Sequence, residues 1–188
     1  MRTEDIVLTV KGGELLLRNP RREDAEMMLA DLKKVCGETR YLVKEPEEIT
    51  MTIEEEEGFI QRQNDSENSI MLLGFLNGKY VGNCSLMGNG PRRYRHRVGV
   101  GIALLQEFTG LGIGRAMIDA LLKIAGEKGF EQAELEVAAD NERALRLYRD
   151  MGFEIYGTLP DNMKYQDGTY ADVYWMMKKL RQKSEKNF

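Results

Sequence analysis

The stretch FTGLGIGRA, residues 108–116, follows an apolar segment and leads directly into a helical pattern. Its glycines stand at 110, 112 and 114, and glycine permits backbone conformations and close approaches that other residues resist. The first N–H groups of a helix lack partners within it, and the helix dipole adds positive potential at the same end. The stretch therefore predicts a strand-to-helix turn that holds an anion such as a pyrophosphate, with Arg115 as an added positive charge.

Three other structures could use such a glycine-rich stretch. A P-loop would need GxxxxGK(S/T), which the chain lacks. A dinucleotide-binding turn would need GxGxxG, whereas the spacing here is GxGxG. A tight turn that only packs the helix against the strand stays open, since glycine serves that purpose equally well.

Hydrophobic spacing on both sides of this stretch alternates between the two-residue period of strands and the 3.6-residue period of helices. Gly12-Gly13 and Asn77-Gly78 are typical of β-hairpin turns. The order of strands and helices predicts an α/β fold with a mixed sheet. The predicted elements are two strands around 12–13, helices 22–35 and 52–63, strands on each side of 77–78, strand 98–108, helix 112–128, a strand through 134–137, a helix through 144–151, and strands 154–159 and 170–177.

Length and composition indicate one globular domain. The chain has 188 residues, 42% of them apolar and 31% charged, without repeats or a Pro/Ser-rich linker. We expect a single domain over residues 1–180, followed by a short polar tail at 181–188. No apolar run approaches the ~20 residues that cross a bilayer, and no signal-peptide pattern is present, so we expect a cytoplasmic protein without a membrane partner. The net charge of −4 argues against a nucleic-acid partner.

Few side chains could bind a metal through sulfur or imidazole. The chain has two cysteines, Cys36 and Cys84, and one histidine, His96, and a zinc site would need more such ligands. We therefore predict no metal, and two free thiols in a reducing compartment. Cys84 falls on a predicted strand away from the glycine-rich stretch, and we do not predict it as a nucleophile.

A second informative stretch, LEVAADNERALRLYRDMGF, runs from Leu135 to Phe153. Together with residues 109–114 it resembles the GNAT N-acetyltransferase superfamily, in which a Q/R-x-x-G-x-G/A loop leads into a helix and an N-x-x-A-x-x-L-Y-x-x-x-G-F helix follows later. The second motif matches almost completely. Residues 168–176 also resemble the closing strands of amino-acid, polyamine and ribosomal-protein N-acetyltransferases. The resemblance covers about 97–180 and implies a mixed, mostly antiparallel central sheet, splayed at a cofactor cleft and flanked by about four helices.

The resemblance implies that acetyl-CoA is the co-substrate and lies in a cleft near Leu104 and Val137. In the family, backbone groups of one strand bind the pantetheine arm, and the glycine-rich loop holds the pyrophosphate. A plain buried strand is the alternative for the first segment, and both can hold because the side chains pack while the backbone binds. The implied cofactor-binding residues are Ile102, Ala103, Leu104, Gly110, Leu111, Gly112, Ile113, Gly114, Arg115 and Asn141.

Two positions in the motifs, Thr109 and Asn141, need separate consideration, because the first departs from the family pattern and the second could serve local structure instead. Thr109 stands where the family usually has Gln or Arg, so we expect the backbone, and not this side chain, to hold the pyrophosphate. Asn141 begins a helix and could be its N-cap, a common use of Asn. The resemblance implies instead a hydrogen bond from Asn141 to the cofactor, which we favour because Asp140 could cap the helix.

The resemblance implies direct acetyl transfer, with Tyr148 meeting the departing CoA thiolate and Glu136 as general base. Tyr148 lies on the apolar stripe of its helix, so a core tyrosine is the alternative. A tyrosine of pKa ~10 protonates a thiolate of pKa ~8.5 only uphill, by about 2 kcal/mol. Either the site lowers that pKa, or Tyr148 mainly hydrogen-bonds the sulfur. The alternative for Glu136 is a glutamate that is merely exposed on a strand. In that case a water chain would serve as the general base.

The sequence leaves the amine acceptor open, whether a small molecule or a peptide. Acidic residues at 45, 47, 48 and 54–57 fall in the region that shapes the acceptor site in the family and could attract a cationic amine, although we favour a solvated helix face. Dimers are common in the family, which leaves a homodimer open. A non-enzymatic acyl-CoA sensor on the same fold, supported only by Thr109, and a nucleotide-binding regulator are the alternatives to an enzyme.

Overall fold

All helices and strands predicted from the sequence are present, in the predicted order. A computed structural model of the protein describes residues 1–180, and short 3-10 turns are its only additions to that order within this range. The strands and helices are β1 (Ile6–Val10), β2 (Gly13–Arg18), α1 (Ala25–Glu38), α2 (Ile53–Asp65), β3 (Ser69–Leu76), β4 (Lys79–Gly88), β5 (Arg97–Leu104), α3 (Ile113–Glu127), β6 (Gln132–Ala138), α4 (Glu142–Asp150), β7 (Glu154–Lys164) and β8 (Tyr170–Lys179).

The strands form a mixed, mostly antiparallel sheet, as expected. Hydrogen bonds join eight strands in the order β1-β2-β3-β4-β5-β6-β8-β7. β5 and β6 run parallel, whereas β1-β2, β2-β3, β3-β4, β6-β8 and β7-β8 are antiparallel pairs. The chain divides into two compact units, Met1–Met87 with Gly101–Asp119, and Gly88–Val100 with the chain from Ala120 onward.

In the first unit, strands β1 to β4 follow the spacing that the sequence predicts. Leu15 and Leu17 alternate with less buried neighbours in β2 and are themselves fully buried. The β3-β4 hairpin turns at Asn77 and Gly78, whose φ angles of 48° and 82° are both left-handed, as a type I′ turn requires. A smaller apolar cluster of this unit comprises Leu29, Cys36 and Ile49 with Leu32, Leu42 and Met51 around them.

Helix α1 begins three residues later than its hydrophobic spacing predicts, at Ala25. Residues Arg22–Asp24 form a 3-10 turn instead. The Asp24 carboxylate accepts a hydrogen bond from the Arg21 N–H at 2.6 Å and forms a salt bridge with Arg18 at 2.7 Å. These bonds hold the chain in the tighter turn before the α-helix can start.

Strand β5 ends at Leu104, and not at Phe108 as its apolar run predicts. The Gln106 N–H donates to the carboxylate of Glu38 at 2.7 Å, and Gln106–Phe108 form a 3-10 turn. The apolar run contains a strand followed by a buried turn, since Leu105 and Phe108 are both buried. Apolar character alone does not separate the two conformations.

The second unit contains the antiparallel ladder of β6, β8 and β7. Its buried apolar residues include Leu135, Phe153 and Met176. β7 extends to Lys164, five residues beyond its predicted end at Leu159. Its pairing with β8 is irregular between Leu159 and Met163, where Pro160 lacks an N–H and Asp161 has a φ of 50°.

The helices of residues 1–180 are all too short or too polar to cross a bilayer. The polar tail predicted at 181–188 lies outside the described residues.

We predict that Gly82→Ala destabilises the protein strongly. Gly82 has a φ of 144°, and a Cβ there would overlap the carbonyl oxygen of Ala103 and lie 2.9 Å from the Leu104 Cα. Backbone atoms cannot move aside as a side chain does, so the free energy of unfolding should fall by at least about 2 kcal/mol in a urea titration followed by circular dichroism.

Gly126→Ala is the matched control for this substitution. Gly126 lies within α3, and a Cβ there meets nothing within 4 Å. Alanine should stabilise this helix by up to about 1 kcal/mol. Equal stability of the two variants would contradict the close approach at Gly82.

Candidate functional site

The glycine-rich stretch forms the predicted turn from β5 into α3. Gly110 and Gly112 have φ angles of 83° and 81°, which glycine adopts without strain. The Ala116 N–H donates to the Gly112 carbonyl at 3.0 Å, so the helix hydrogen bonds start at Gly112. The first N–H groups of a helix find no acceptor within the helix itself, and the dipole adds positive potential at this end. The turn is confirmed, and its capacity to hold an anion stays a prediction.

The side chain of Thr109 is engaged in the turn that precedes this cradle. Its hydroxyl donates to the carbonyl of Gln106 at 2.6 Å, and its N–H bonds the same oxygen at 3.1 Å. The hydroxyl proton is therefore unavailable to an anion. This geometry agrees with the expectation that any anion here is held by backbone groups.

The C-terminal half of β5 extends past its ladder with β6. That ladder joins Arg97, Val98 and Gly99 to β6, and Ile102–Leu104 lie beyond it. These three residues are half-buried, and the next N–H, of Leu105, donates to the Val81 carbonyl at 3.0 Å. Their side chains are packed, while their backbone stands outside the β5-β6 pairing, a combination that the strand-addition hypothesis requires.

A small polar pocket in the first unit was not foreseen from the sequence. It has a volume of about 10 Å³, room for one water molecule, and is lined by Asp31, Tyr80 and Asn83 among apolar neighbours. The Asn83 amide donates to the Tyr80 hydroxyl at 3.2 Å, and burial raises the pKa of Tyr80 to about 12. Burial also raises the pKa of Asp31. Sequence reasoning did not identify Asp31, because it is one of three acids in an amphipathic helix and no motif or spacing marks it.

In the second unit, Tyr148 is a core residue whose hydroxyl has no hydrogen-bond partner within residues 1–180. Its ring meets that of Phe153 edge-to-face, with centroids 5.9 Å apart. Burial raises the pKa of Tyr148 to about 12. The tyrosine is thus neutral at physiological pH, with a proton to donate in a hydrogen bond.

Glu136, also in the second unit, is an exposed residue of β6 held by a side chain of β8. Its partner across the ladder is Trp175, and the indole Nε1–H donates to Glu136 Oε1 at 2.9 Å. The indole in turn stacks on Tyr156, with centroids 6.0 Å apart and planes 23° from parallel. Sequence reasoning placed Glu136 on the face opposite Leu135 and did not foresee the indole, because cross-strand register decides that contact.

Asn141 is the N-cap of α4, and the expectation that Asp140 could cap this helix is wrong. The Asn141 Oδ1 accepts from the Ala144 N–H at 3.2 Å. Asp140 instead accepts a hydrogen bond from the Tyr165 hydroxyl at 2.8 Å. The Asn141 side-chain oxygen is therefore used within the helix, which leaves its amide N–H as the group for a cofactor.

The acidic run around α2 serves mostly local structure. Glu48 and Glu55 close capping boxes at the starts of their helical segments, and Glu57 pairs with Arg22 at 2.6 Å. Glu56 departs from the solvated face expected for this run, since it is only 5% exposed and burial raises its pKa.

The sulfur and acidic side chains provide no metal site in the described part of the chain. Residues 1–180 contain no group of three His, Cys, Asp or Glu side chains placed to hold a metal ion. Cys36 and Cys84 are free and buried, and burial raises the pKa of both thiols. A thiol whose pKa is raised carries less thiolate, which agrees with the expectation that Cys84 is not a nucleophile.

The predicted site residues divide between the two units. The first unit holds Ile102–Leu104 and Gly110–Arg115, with residues 105–109 between them. The second holds Glu136, Asn141 and Tyr148, on β6 and α4.

A family model and several relatives match the chain. The model of the acetyltransferase (GNAT) family matches residues 35–153. An N-alpha-acetyltransferase of Sulfurisphaera tokodaii is 28% identical over 167 residues, covering 88% of this chain and 93% of that protein. The L-amino acid N-acetyltransferase AaaT of Escherichia coli is 27% identical over 119 residues, 62% of this chain and 72% of AaaT. An uncharacterised Mycobacterium leprae protein is 38% identical over 80 residues, 43% of this chain, and the match spans only 21% of that longer protein.

Solved structures share the fold over most of the chain. A GNAT-family acetyltransferase of Streptococcus pneumoniae superposes with a TM-score of 0.83 and 31% identity, covering 88% of this chain and 99% of that one. The YncA protein of Salmonella typhimurium, solved with its cofactor acetyl-CoA, superposes with a TM-score of 0.76 and 18% identity, covering 89% of this chain and 95% of that one.

Substitution of Asn141 should separate its capping from any other role. Asn141→Ala removes the acceptor for the Ala144 N–H and should lower the free energy of unfolding by about 1 kcal/mol. Asn141→Asp keeps an acceptor at the helix N-terminus and should retain wild-type stability in the same urea titration. A loss in the Asp variant as large as that in the Ala variant would show that capping is not what Asn141 contributes to stability.

Proposed function

Because the chain belongs to the GNAT acetyltransferase family, we propose that it transfers an acetyl group from acetyl-CoA to a primary amine by direct attack. The amine nitrogen bonds to the acetyl carbon, the carbon–sulfur bond breaks, and the amine loses a proton. The start of α3 carries this proposal, because its helix hydrogen bonds begin with the Ala116 N–H to the Gly112 carbonyl, and the N-terminal end of a helix attracts an anion such as a pyrophosphate. In this proposal, residues 1–180 form one acetyltransferase domain.

The first unit supplies the groups that hold acetyl-CoA. The N–H groups of Ile113, Gly114 and Arg115 bind the pyrophosphate oxygens, with the turn at Gly110–Gly112 allowing close approach. The backbone of Ile102–Leu104 binds the pantetheine arm as an added strand would, since it lies beyond the β5-β6 ladder. When bound, acetyl-CoA supplies the activated acetyl thioester. A backbone N–H near Leu104 polarises the thioester carbonyl, where negative charge develops in the transition state.

Glu136 accepts the proton of the amine, directly or through water. An amine of pKa ~10.4 is neutral in only about one molecule per thousand at pH 7, so a base must take its proton before or during attack. The indole N–H of Trp175 occupies Oε1 of Glu136 and fixes the carboxylate, while Oε2 stays open to the acceptor. This arrangement offers an oriented acceptor of protons on an exposed surface.

Tyr148 stabilises the departing sulfur through a hydrogen bond and keeps its own proton. With the pKa of Tyr148 at about 12, full transfer to a thiolate of pKa ~8.5 is uphill by about 5 kcal/mol. A hydrogen bond to the charged sulfur needs no such transfer and is worth roughly 1.5–3 kcal/mol. Of the two roles left open by the sequence, the raised pKa therefore favours the second.

The acceptor is an amine, and the relatives support two classes of it. AaaT acts on L-amino acids and the S. tokodaii relative is an N-alpha-acetyltransferase, so free amino acids and peptide N-termini are the first candidates. The free, buried Cys36 and Cys84 fit a reducing compartment, and we propose that the protein acts in the cytoplasm.

We expect the purified protein to release CoA thiol from acetyl-CoA in the presence of one class of amine. The panel comprises amino acids, polyamines, aminoglycosides and short peptides, with thiol release measured against a no-amine blank. If no amine of the panel supports thiol release but acetyl-CoA raises the melting temperature, a protein acceptor or a non-enzymatic sensor would be indicated. If there is no thiol release and acetyl-CoA does not change the melting temperature, the proposed cofactor site itself would be contradicted.

Tyr148→Phe should lower kcat by about 10- to 100-fold, because it removes one hydrogen bond to a charged group. The buried ring and its contact with Phe153 are retained, so the melting temperature and the affinity for acetyl-CoA should stay at their wild-type values. Single-turnover measurement of acetyl transfer separates chemistry from product release. An unchanged rate of that step would remove Tyr148 from the mechanism.

A further inference from the structure

Two aromatic side chains lie stacked and open to solvent beside Glu136. Tyr156 is 45% exposed and Trp175 is 37% exposed, although the two rings stack with centroids 6.0 Å apart. Trp175 and Glu136 are partners across the β6-β8 ladder, so their side chains leave the same face of the sheet. Large rings are usually buried more fully than this, and an exposed aromatic group beside a charge is typical of binding surfaces.

The backbone of β7 leaves room for this arrangement. Gly157 pairs with Trp175, and a Cβ at Gly157 would lie 3.2 Å from the indole Cε3. An alanine there would require the indole to shift by a few tenths of an ångström. The β7-β8 register also shifts between Ile155 and Gly157, which inserts Tyr156 as an extra residue where it stacks on the indole.

Charge compensation differs between the two glutamates of β6. Glu134 is bound by the Arg97 guanidinium through two hydrogen bonds, one of 2.6 Å, so its charge is neutralised. Glu136, two residues on, has the neutral indole N–H of Trp175 as its hydrogen-bond partner within residues 1–180. Its negative charge is therefore left uncompensated by the described chain. A cation from outside could supply what Arg97 supplies to Glu134.

We propose that Glu136, Trp175 and Tyr156 form the subsite that binds the acceptor, as an aliphatic primary ammonium ion whose carbon stem lies on the stacked rings. The inference rests on the proposed function, because it names where the acceptor of that reaction binds. The carboxylate attracts the ammonium group, and the negative faces of the rings attract the same charge. The exposed indole and phenol bury the carbon stem.

The chain contains its own example of the interaction that the subsite needs. The Arg97 guanidinium lies 5.2 Å from the centroid of the Tyr94 ring while its nitrogen atoms bond Glu134. A cation in that position is held by a ring and by a carboxylate together. The acceptor ammonium would repeat the same pairing at Glu136 and Trp175.

Trp175 is the chain's one tryptophan, so its fluorescence reports on this subsite directly. The probe is n-butylammonium, and n-butanol is its neutral counterpart of nearly equal shape. We expect a saturable change in Trp175 fluorescence with n-butylammonium and none with n-butanol over the same concentrations. Equal responses to both would overturn the proposal, because charge would then play no part.

Two variants and a control locate the binding. Glu136→Gln and Tyr156→Leu should each weaken n-butylammonium binding by about 2- to 5-fold, the range of an exposed ion pair or cation–π contact. Tyr170→Leu removes another exposed aromatic residue of β8, one that is 54% exposed and outside the stacked pair, and should leave binding unchanged. Glu136→Gln keeps the shape of this surface side chain and removes only its charge. Unaltered binding in this variant would therefore overturn the proposal.

Kinetics with the acceptor found by thiol release separate this proposal from the function on which it rests. Trp175→Leu should raise the KM for that amine by about 2- to 5-fold, with the KM for acetyl-CoA unchanged. Trp175→Phe keeps a ring and loses the N–H, so it should lower kcat more than it raises KM. If Trp175→Leu keeps wild-type turnover and an unchanged KM for the amine, the proposed subsite is overturned while the proposed function stands. If the protein binds n-butylammonium but turns over no amine, only the proposed function is contradicted.

Discussion

Helix α3 starts at a point where the backbone has just passed through left-handed conformations at Gly110 and Gly112, and the arrangement of the protein depends on that turn. It ends β5 and starts a fifteen-residue helix whose inward residues Ile113, Met117 and Ile118 are buried. The same turn places the N-terminal end of the helix directly after the glycines, and the first N–H groups of a helix find no acceptor within the helix itself. Packing of the helix and the proposed binding of a cofactor would thus make the same demand on these glycines.

The two glutamates of β6 differ in how their charges are held. Glu134 is bound by Arg97 within the second unit, and its charge contributes to the joining of β5 and β6. Glu136 receives a hydrogen bond from a neutral donor that orients it without removing its charge. Strand spacing alone does not separate them, because both are glutamates on the same face, two residues apart, and only the resemblance to the family singles out Glu136. The difference comes from their neighbours on adjacent strands.

The sequence predicts most of the fold because its signals are local. Asn77-Gly78 and Gly129 mark turns through backbone freedom, and hydrophobic spacing gives the type of each element. Most of what the sequence missed near the site depends on contacts between distant residues. The Gln106–Glu38 hydrogen bond joins groups 68 positions apart, and the Trp175–Glu136 bond joins groups 39 apart. The prediction for the N-cap of α4 was wrong for a different reason. Asp140 and Asn141 could each cap the helix, and Asp140 is instead bound by the Tyr165 hydroxyl.

The environments of Tyr148 and Glu136 bear on how protons move in the proposed reaction. Burial raises the pKa of Tyr148 to about 12, so this residue holds its proton through the physiological range. Glu136 is exposed, and water can carry a proton away from it. In the proposed reaction, the proton that leaves the amine would therefore pass outward through Glu136, while the thiolate would be stabilised by a donor that stays protonated. Since the fraction of neutral amine grows tenfold per pH unit below the amine's own pKa, ~10.4 for an alkylamine and ~8 for a peptide N-terminus, the rate at low acceptor concentration should rise with pH up to that value, without a turning point from Tyr148.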